Sequence, residues 1–180
     1  MKVTYTIDPA HSGAHFTVRH MMITNVRGGF KKVTGTVVYD AENPASSSVQ
    51  AEIDAASINT NVAERDKHLR SDDFFDVAKY PKILFTSTNA SQIDPAKKSG
   101  KLAGNLTIHG VQKPVVLEVS YLGAAKDPWG NQRAGFSAKT TINRKDFGLV
   151  WNETLETGGL LVGDEIQIEI DAEGMIPATK

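Results

Sequence analysis

Most of the chain alternates apolar and polar residues with a period of two, the pattern of a β-strand that buries one face. The clearest case lies near the C-terminus, where Ile166, Ile168 and Ile170 alternate with charged or amide side chains. The same alternation recurs in residues 3–7, 13–20, 33–40, 48–55, 83–88, 101–109, 115–122 and 134–142. The pattern therefore predicts an all-β chain of about eight or nine strands.

Turn-forming dipeptides separate these segments, for example Asn43-Pro44 and Ser99-Gly100. Short connections of this kind are typical of an antiparallel β-sandwich or β-barrel. A chain of 180 residues fits one such unit, so we expect a single domain spanning residues 1–180.

Residues 61–76 interrupt the alternation with a dense polar run followed by two adjacent aromatic residues, Phe74 and Phe75. Asn61 lies three residues before Glu64, which resembles a helix capping box. Ser71, with acidic residues directly after it, is a second helix start. We therefore predict a short helical insertion around residues 61–76, placed over the mouth of the β structure.

The predicted inward faces contain many small residues between large ones, as in the strand that holds Ala134, Phe136, Ala138 and Thr140. Because protein interiors are densely packed, small side chains on a buried face indicate a narrow barrel or an internal space. Eight-stranded barrels lie at this border, being either filled by side chains or able to hold one ligand. The pattern is therefore also consistent with a barrel that is filled by side chains and serves as a protein-interaction domain.

Composition excludes several classes of function. The net charge is −1, from 20 basic and 21 acidic residues, so no basic field favours nucleic acid. The absence of cysteine excludes disulfides and thiolate metal sites, and the five histidines have no metal-ligand spacing. No apolar run reaches the length of a membrane-spanning helix, and no signal peptide precedes the first strand. We expect a cytoplasmic location as written, or a periplasmic one if a signal peptide has been removed.

No nucleophile motif or phosphate-binding glycine loop occurs, so the sequence predicts neither a catalytic residue nor a catalytic cofactor. The helical insertion nevertheless carries Arg65, Asp66 and His68 toward whatever it covers, and Arg144 is a second candidate for the rim. An enzyme that acts on a hydrophobic metabolite, with Asp66 or His68 as general acid or base, is the alternative to a binding protein.

Several motifs, in order along the chain, resemble the YceI-like family. The most specific is AERDKHLRSDDF (63–74), which is followed by GNLTIHGVQKPV (104–115) and NRKDFG (143–148). The resemblance implies a lipocalin-like antiparallel barrel of eight strands with a hydrophobic pore. It also implies non-covalent binding, storage or transport of a long-chain isoprenoid or similar lipid, such as a polyprenyl pyrophosphate or a quinone. A homodimer stays open.

On this hypothesis, large apolar residues of the inward faces and of the insertion form the ligand-binding wall, and charged residues at the rim hold the head group. The predicted wall residues are Phe16, Val18, His20, Phe30, Leu69, Phe74, Phe75, Phe85, Leu106, Ile108, Phe136, Ile142, Phe147 and Trp151. The predicted rim residues are Arg65, Asp66, His68 and Arg144.

Overall fold

The computed structural model describes residues 1–178 and consists almost entirely of antiparallel strands. Its eleven strand segments belong to one continuous sheet. They are β1 (Lys2–Ile7), β2 (Gly13–His20), β3 (Thr24–Phe30), β4 (Val33–Asp40), β5 (Ser48–Asp54), β6 (Ile58–Asn59), β7 (Lys82–Asp94), β8 (Ser99–Ile108), β9 (Val111–Lys126), β10 (Gln132–Asn143) and β11 (Val162–Ile176).

The segments combine into a closed eight-stranded barrel. The pairs β1/β2, β3/β4 and β5/β6 each act as one bent strand. The members of each pair lie side by side with the members of the next: β1 pairs with β4 and β2 with β3, while β4 pairs with β5 and β3 with β6. Sequence neighbours pair around the sheet, and β11 closes it by pairing with β2 and β1. Within residues 1–178, closure leaves no long free sheet edge.

The period-two pattern is satisfied because one face of each strand lines the interior. Along β11 the isoleucines face inward beside Ile142, Thr140 and Ala138 of β10. Glu165, Gln167 and Glu169 pair with the outward-facing positions of β10. The all-β prediction and the barrel are therefore confirmed.

Some of the small inward-facing residues make room for phenylalanine rings. A Cβ atom on Gly104 would lie 2.5 Å from Cζ of Phe85, and one on Gly28 would lie 2.6 Å from Cζ of Phe16. Both distances are too short for real atoms, so these glycines let aromatic rings cross the interior. Other small inward residues, such as Ala138, border empty space instead.

The predicted helical insertion is present as α1 (Ala63–Arg70) followed by consecutive turns to residue 79. The predicted capping role of Asn61 is wrong: Val62 is the N-cap residue, and Asn61 has φ +63° with its N–H donating to Asn59 Oδ1. Residues 71–76 form hydrogen-bonded turns rather than a second helix, with the amide of Asp76 donating to the carbonyl of Ser71.

The sequence pattern did not predict two of the strand segments, and it predicted others to be shorter than they are. β3 contains Gly28 and Gly29, which break its apolar pattern, and β6 has two residues. β7 and β9 extend well beyond the predicted boundaries because pairing continues past irregularities in the ladder, such as the one between Ser87 and Asn89. Within residues 1–178, no helix has the length and apolar character needed to cross a membrane.

Candidate functional site

A cavity of about 540 Å³ lies inside the barrel. This volume is within the range of roughly 300–1,000 Å³ that is typical of small-molecule sites. The wall is almost entirely apolar and receives inward residues from β1 to β5 and from β7 to β11. The interior is therefore hollow rather than fully packed by side chains.

The two ends of the barrel differ. The helix end, formed by α1, the turn between β2 and β3 and the segment 148–161, is closed by aromatic and aliphatic side chains. Phe75 contacts Phe30 edge-to-face at 5.6 Å between ring centroids, and Phe30 lies 6.0 Å from Phe16. Leu69 and Phe74 also line the cavity at this end. The helical insertion thus seals one end of the cavity.

The loop end, formed by the turns 41–47, 95–98 and 127–131, is more polar and more exposed. Cavity-lining residues here include Ser48, Pro95 and Lys98, all exposed to solvent, and the half-buried Ser47 and Ser99. The cavity therefore reaches solvent at the loop end, so the mouth predicted beneath the helical insertion is at the opposite end of the barrel.

Most of the predicted wall residues border the cavity. They are Phe16, Val18, Phe30, Leu69, Phe74, Phe75, Phe85, Leu106, Ile108, Phe136 and Ile142. Their direct contact with a ligand stays a prediction.

Three predicted wall residues lie outside the cavity lining. His20 is the last residue of β2, where it pairs with Thr24 and Val162, and it is not among the residues that line the cavity. Phe147 is 1% exposed but packs into the core beside the barrel end, because it belongs to a 3₁₀ turn over Arg144–Phe147. Trp151 lies outside the closed end, where it packs edge-to-face on His68 and at a tilt on Phe74, at centroid distances of 4.8 and 5.2 Å.

The charged residues of α1 do not line the cavity, which removes the geometric basis for their predicted head-group role. Asp66 is buried, and its Oδ1 accepts hydrogen bonds from the amide and hydroxyl of Thr60 at 2.8 and 2.6 Å. Arg65 donates to the hydroxyl and carbonyl of the same threonine. His68 contacts Asp73 at 2.7 Å on the outer surface. Arg65 and Asp66 thus anchor α1 to the residue that follows β6, and His68 links α1 to the turn that follows it.

Arg144 borders the cavity at the helix end rather than forming an exposed rim. It is 3% exposed, and its guanidinium donates to the carbonyls of Leu149, Trp151 and Gly163 at 2.6, 2.9 and 2.9 Å. Burial lowers its pKa, and Asp164 at 3.5 Å opposes that shift. Because its donors are used by backbone carbonyls, Arg144 fixes the segment 148–161 to β11. The carboxylate that pairs with Arg144 is that of Asp164 on β11.

The family model for the YceI-like domain matches residues 5–174. The chain belongs to the YceI-like family. It is 41% identical over 176 residues to the protein YceI of Salmonella newport (strain SL254), covering 95% of this chain and 86% of that protein.

Two solved structures have a fold similar to that of this YceI-like chain. Burkholderia cenocepacia BcnA is 26% identical, with a TM-score of 0.77 over 93% of this chain and 98% of BcnA. A polyisoprenoid binding domain from Saccharophagus degradans is 17% identical, with a TM-score of 0.65 over 96% of this chain and 98% of that domain, and it shows the fold alone.

The YceI-like barrel also holds an aromatic cluster that the sequence analysis did not single out. The rings of Tyr39 and Tyr121 stack at 4.7 Å, and Phe136 packs against both. Burial raises the pKa of Tyr39, and the nearby Tyr121 and Tyr5 raise it further. Tyr39 and Tyr121 occupy inward positions of the period-two pattern, so the same alternation could have identified them.

Outside this YceI-like cavity, Asp8, His11 and Glu173 place ligand atoms within 4.8 Å of one another. Arg133 donates to Asp8 at 2.9 Å and also to Glu173 and to Asp127. Hydrogen bonds from His11 and then Arg133 lower the pKa of Asp8 to about 2. A guanidinium thus supplies the positive charge among these carboxylates, and the network ties the bend between β1 and β2 to β10 and β11.

Proposed function

We propose that this protein binds a long-chain lipid, an isoprenoid or a similar apolar chain, non-covalently in the barrel cavity and acts as its carrier or reservoir. The observation that supports this most directly is the continuous apolar cavity, sealed at the helix end and open at the loop end. Such a shape suits a long chain whose tail is buried and whose head remains near solvent.

The binding free energy at such a site depends on the length of the buried lipid chain rather than on one hydrogen bond. Each buried methylene contributes about 0.8 kcal/mol, and the ordering of a flexible chain offsets part of that gain. An apolar wall with few polar groups is therefore sufficient for tight binding and tolerates variation in the tail.

Membership of the YceI-like family supports the proposal, and a domain described as polyisoprenoid binding shares this fold. Catalysis has less support. Asp66 and His68, the candidates for acid–base chemistry, are held by Thr60 and Asp73 and lie outside the cavity lining.

The proposal is tested by extracting natively purified protein with organic solvent and identifying the bound lipid by mass spectrometry. A second arm strips the protein of lipid and measures uptake of a polyprenyl probe by co-elution. We expect a long-chain lipid in the extract and stoichiometric uptake of the probe. Protein that is free of lipid in repeated preparations, and that does not take up the probe, would refute the proposal.

A further inference from the structure

The loop end carries a group of polar side chains that face the apolar cavity and that the lipid tail does not explain. Lys98 lines the cavity in the turn between β7 and β8, with its Nζ 5.9 Å from the centroid of the Tyr121 ring. The backbone amide of Tyr121 donates to the carbonyl of Lys98 at 2.8 Å, which fixes the lysine turn beside the tyrosine cluster.

The hydrogen bonds among residues 1–178 leave the hydroxyls of Tyr5, Tyr39 and Tyr121 without a protein partner, and Lys98 has no ion-pair partner in that range. The rings of Tyr39 and Tyr121 stack at 4.7 Å, and Tyr5 packs against the same Phe136 ring as Tyr39, so the three phenols belong to one cluster. A partly buried polar group gains stability from a hydrogen-bond partner, so donors at the edge of an apolar cavity favour a ligand that accepts.

We propose that the loop end is a head-group site for a lipid whose head is a hydrogen-bond acceptor with a single negative charge, such as a carboxylate. The phenol hydroxyls of Tyr39 and Tyr121 and the ammonium of Lys98 donate to that head while its tail extends toward the helix end. The head-group site presupposes the lipid binding proposed above.

The charge at the site limits the head to one negative charge. Lys98 is the cation that lines the loop end, whereas Arg144 lies at the opposite end with its donors committed to carbonyls. Asp94 also lines the loop end and pairs with Lys97 at 3.5 Å, and a carboxylate there repels additional negative charge. Burial raises the pKa of Tyr5 and Tyr39 above the ordinary value of 10.0, so these two phenols are neutral donors at physiological pH. A pyrophosphate, with several charges, therefore matches the site less well than a carboxylate.

Three probes with the same chain separate the head from the tail: geranylgeraniol, geranylgeranoic acid and geranylgeranyl pyrophosphate. Isothermal titration calorimetry on lipid-stripped protein gives the affinity for each. We expect the acid to bind about tenfold more tightly than the alcohol, as one charge-assisted hydrogen bond provides. The pyrophosphate should bind no more tightly than the acid.

Substitutions at the loop end test whether its side chains cause the preference for the acid over the alcohol. Lys98→Met, which keeps the apolar stem, should weaken binding of the acid by about fivefold and leave the alcohol unchanged. Tyr121→Phe should act in the same direction by removing one donor. Lys113→Met is the matched control, because Lys113 is exposed at the helix end of β9 and does not line the cavity.

The outcomes distinguish the two proposals. If none of the three probes binds, lipid binding itself is wrong. If the acid and the alcohol bind equally, if the pyrophosphate binds more tightly than the acid, or if Lys98→Met and Lys113→Met behave alike, lipid binding stands and the head-group site is refuted.

Discussion

Filling the cavity from its wall should raise the stability of the lipid-free protein and lower its affinity for lipid. Ala138 of β10 lines the cavity between Val119 of β9 and Ile170 of β11. The change Ala138→Leu adds three carbon atoms to this wall. At about 0.8 kcal/mol for each buried methylene, the added group gains up to about 2.4 kcal/mol in the lipid-free state. Ordering of the leucine side chain removes about 0.5–1 kcal/mol of that gain.

The expected net effect is a stabilisation of about 1.5 kcal/mol, which raises Tm by about 3–6 °C in a chain of this length. Space lost to three methylenes should weaken lipid binding by up to about 60-fold. Differential scanning calorimetry of stripped protein and titration with a polyprenyl probe measure the two quantities on the same samples.

The matched control is Ala103→Leu. Ala103 lies on β8 between the inward positions Leu102 and Gly104, outside the cavity lining. It should change the stability by no more than about 0.5 kcal/mol and leave lipid affinity unchanged. A destabilised Ala138→Leu would indicate overpacking of a filled interior, which costs typically 1–3 kcal/mol, and would refute the hollow barrel. An unchanged lipid affinity would place the lipid elsewhere.

Three further changes test the closed end and the carboxylate network. Arg144→Met should lower the free energy of urea unfolding by at least about 3 kcal/mol, because several buried carbonyls lose their donor. Arg144→Lys should not restore the lost stability, and a loss below about 1 kcal/mol would contradict the role of Arg144 in fixing the segment 148–161. Phe147→Ala should lower the free energy of unfolding by about 3–5 kcal/mol in the same measurement, because the ring is buried. Lipid affinity of the folded variant should be unchanged, since the ring lies outside the cavity, and a large loss of affinity would contradict that placement. The folded pKa of Asp8 is lowered to about 2, and so is that of Asp127, where burial is the largest single effect and opposes the shift, but hydrogen bonds from Arg133, from Asn131 and from two backbone amides together outweigh it. The stability that these groups contribute is therefore present above the ordinary carboxyl pKa of 3.8 and is lost as the pH falls toward about 2. Arg133→Gln should flatten this loss in urea unfolding measured across that range, and an unchanged pH dependence would rule out Arg133 as its cause.

Periodicity predicted the fold well because it reports directly which side of a strand is buried. The strand that contains Ile166, Ile168 and Ile170 is buried on the side that the sequence indicates, and the same holds for Leu102 and Leu106 on β8. Where glycine replaces large residues, as in Gly28 of β3, the apolar signal disappears although the backbone still pairs.

The location of the cavity mouth could not be predicted in this way. A polar segment beside Phe74 and Phe75 indicates the end of a β structure, but a strand pattern does not show which end of a barrel is closed. The decisive contacts are long-range, since Phe75 packs on Phe30 from β3.

The hydrogen-bond partners of the polar groups in the insertion could not be predicted for a related reason. Arg65 and Asp66 are close in sequence to Thr60, and that local partner takes up their hydrogen bonds. A charged residue beside a pore therefore says little about ligand binding until its nearest partners are known. The sequence predicts no binding role for Lys98, because this residue lies in an ordinary turn after Pro95.

The seal at the helix end has a consequence for the kinetics of exchange. In a tube with one mouth, the tail must enter first and leave last, so the lipid travels the same path in both directions. Release then exposes the whole tail to water unless an acceptor surface meets the loop end. We therefore expect slow spontaneous release, rapid transfer only when an apolar acceptor contacts the turns 41–47 and 95–98, and an exchange rate that decreases with each carbon added to the tail.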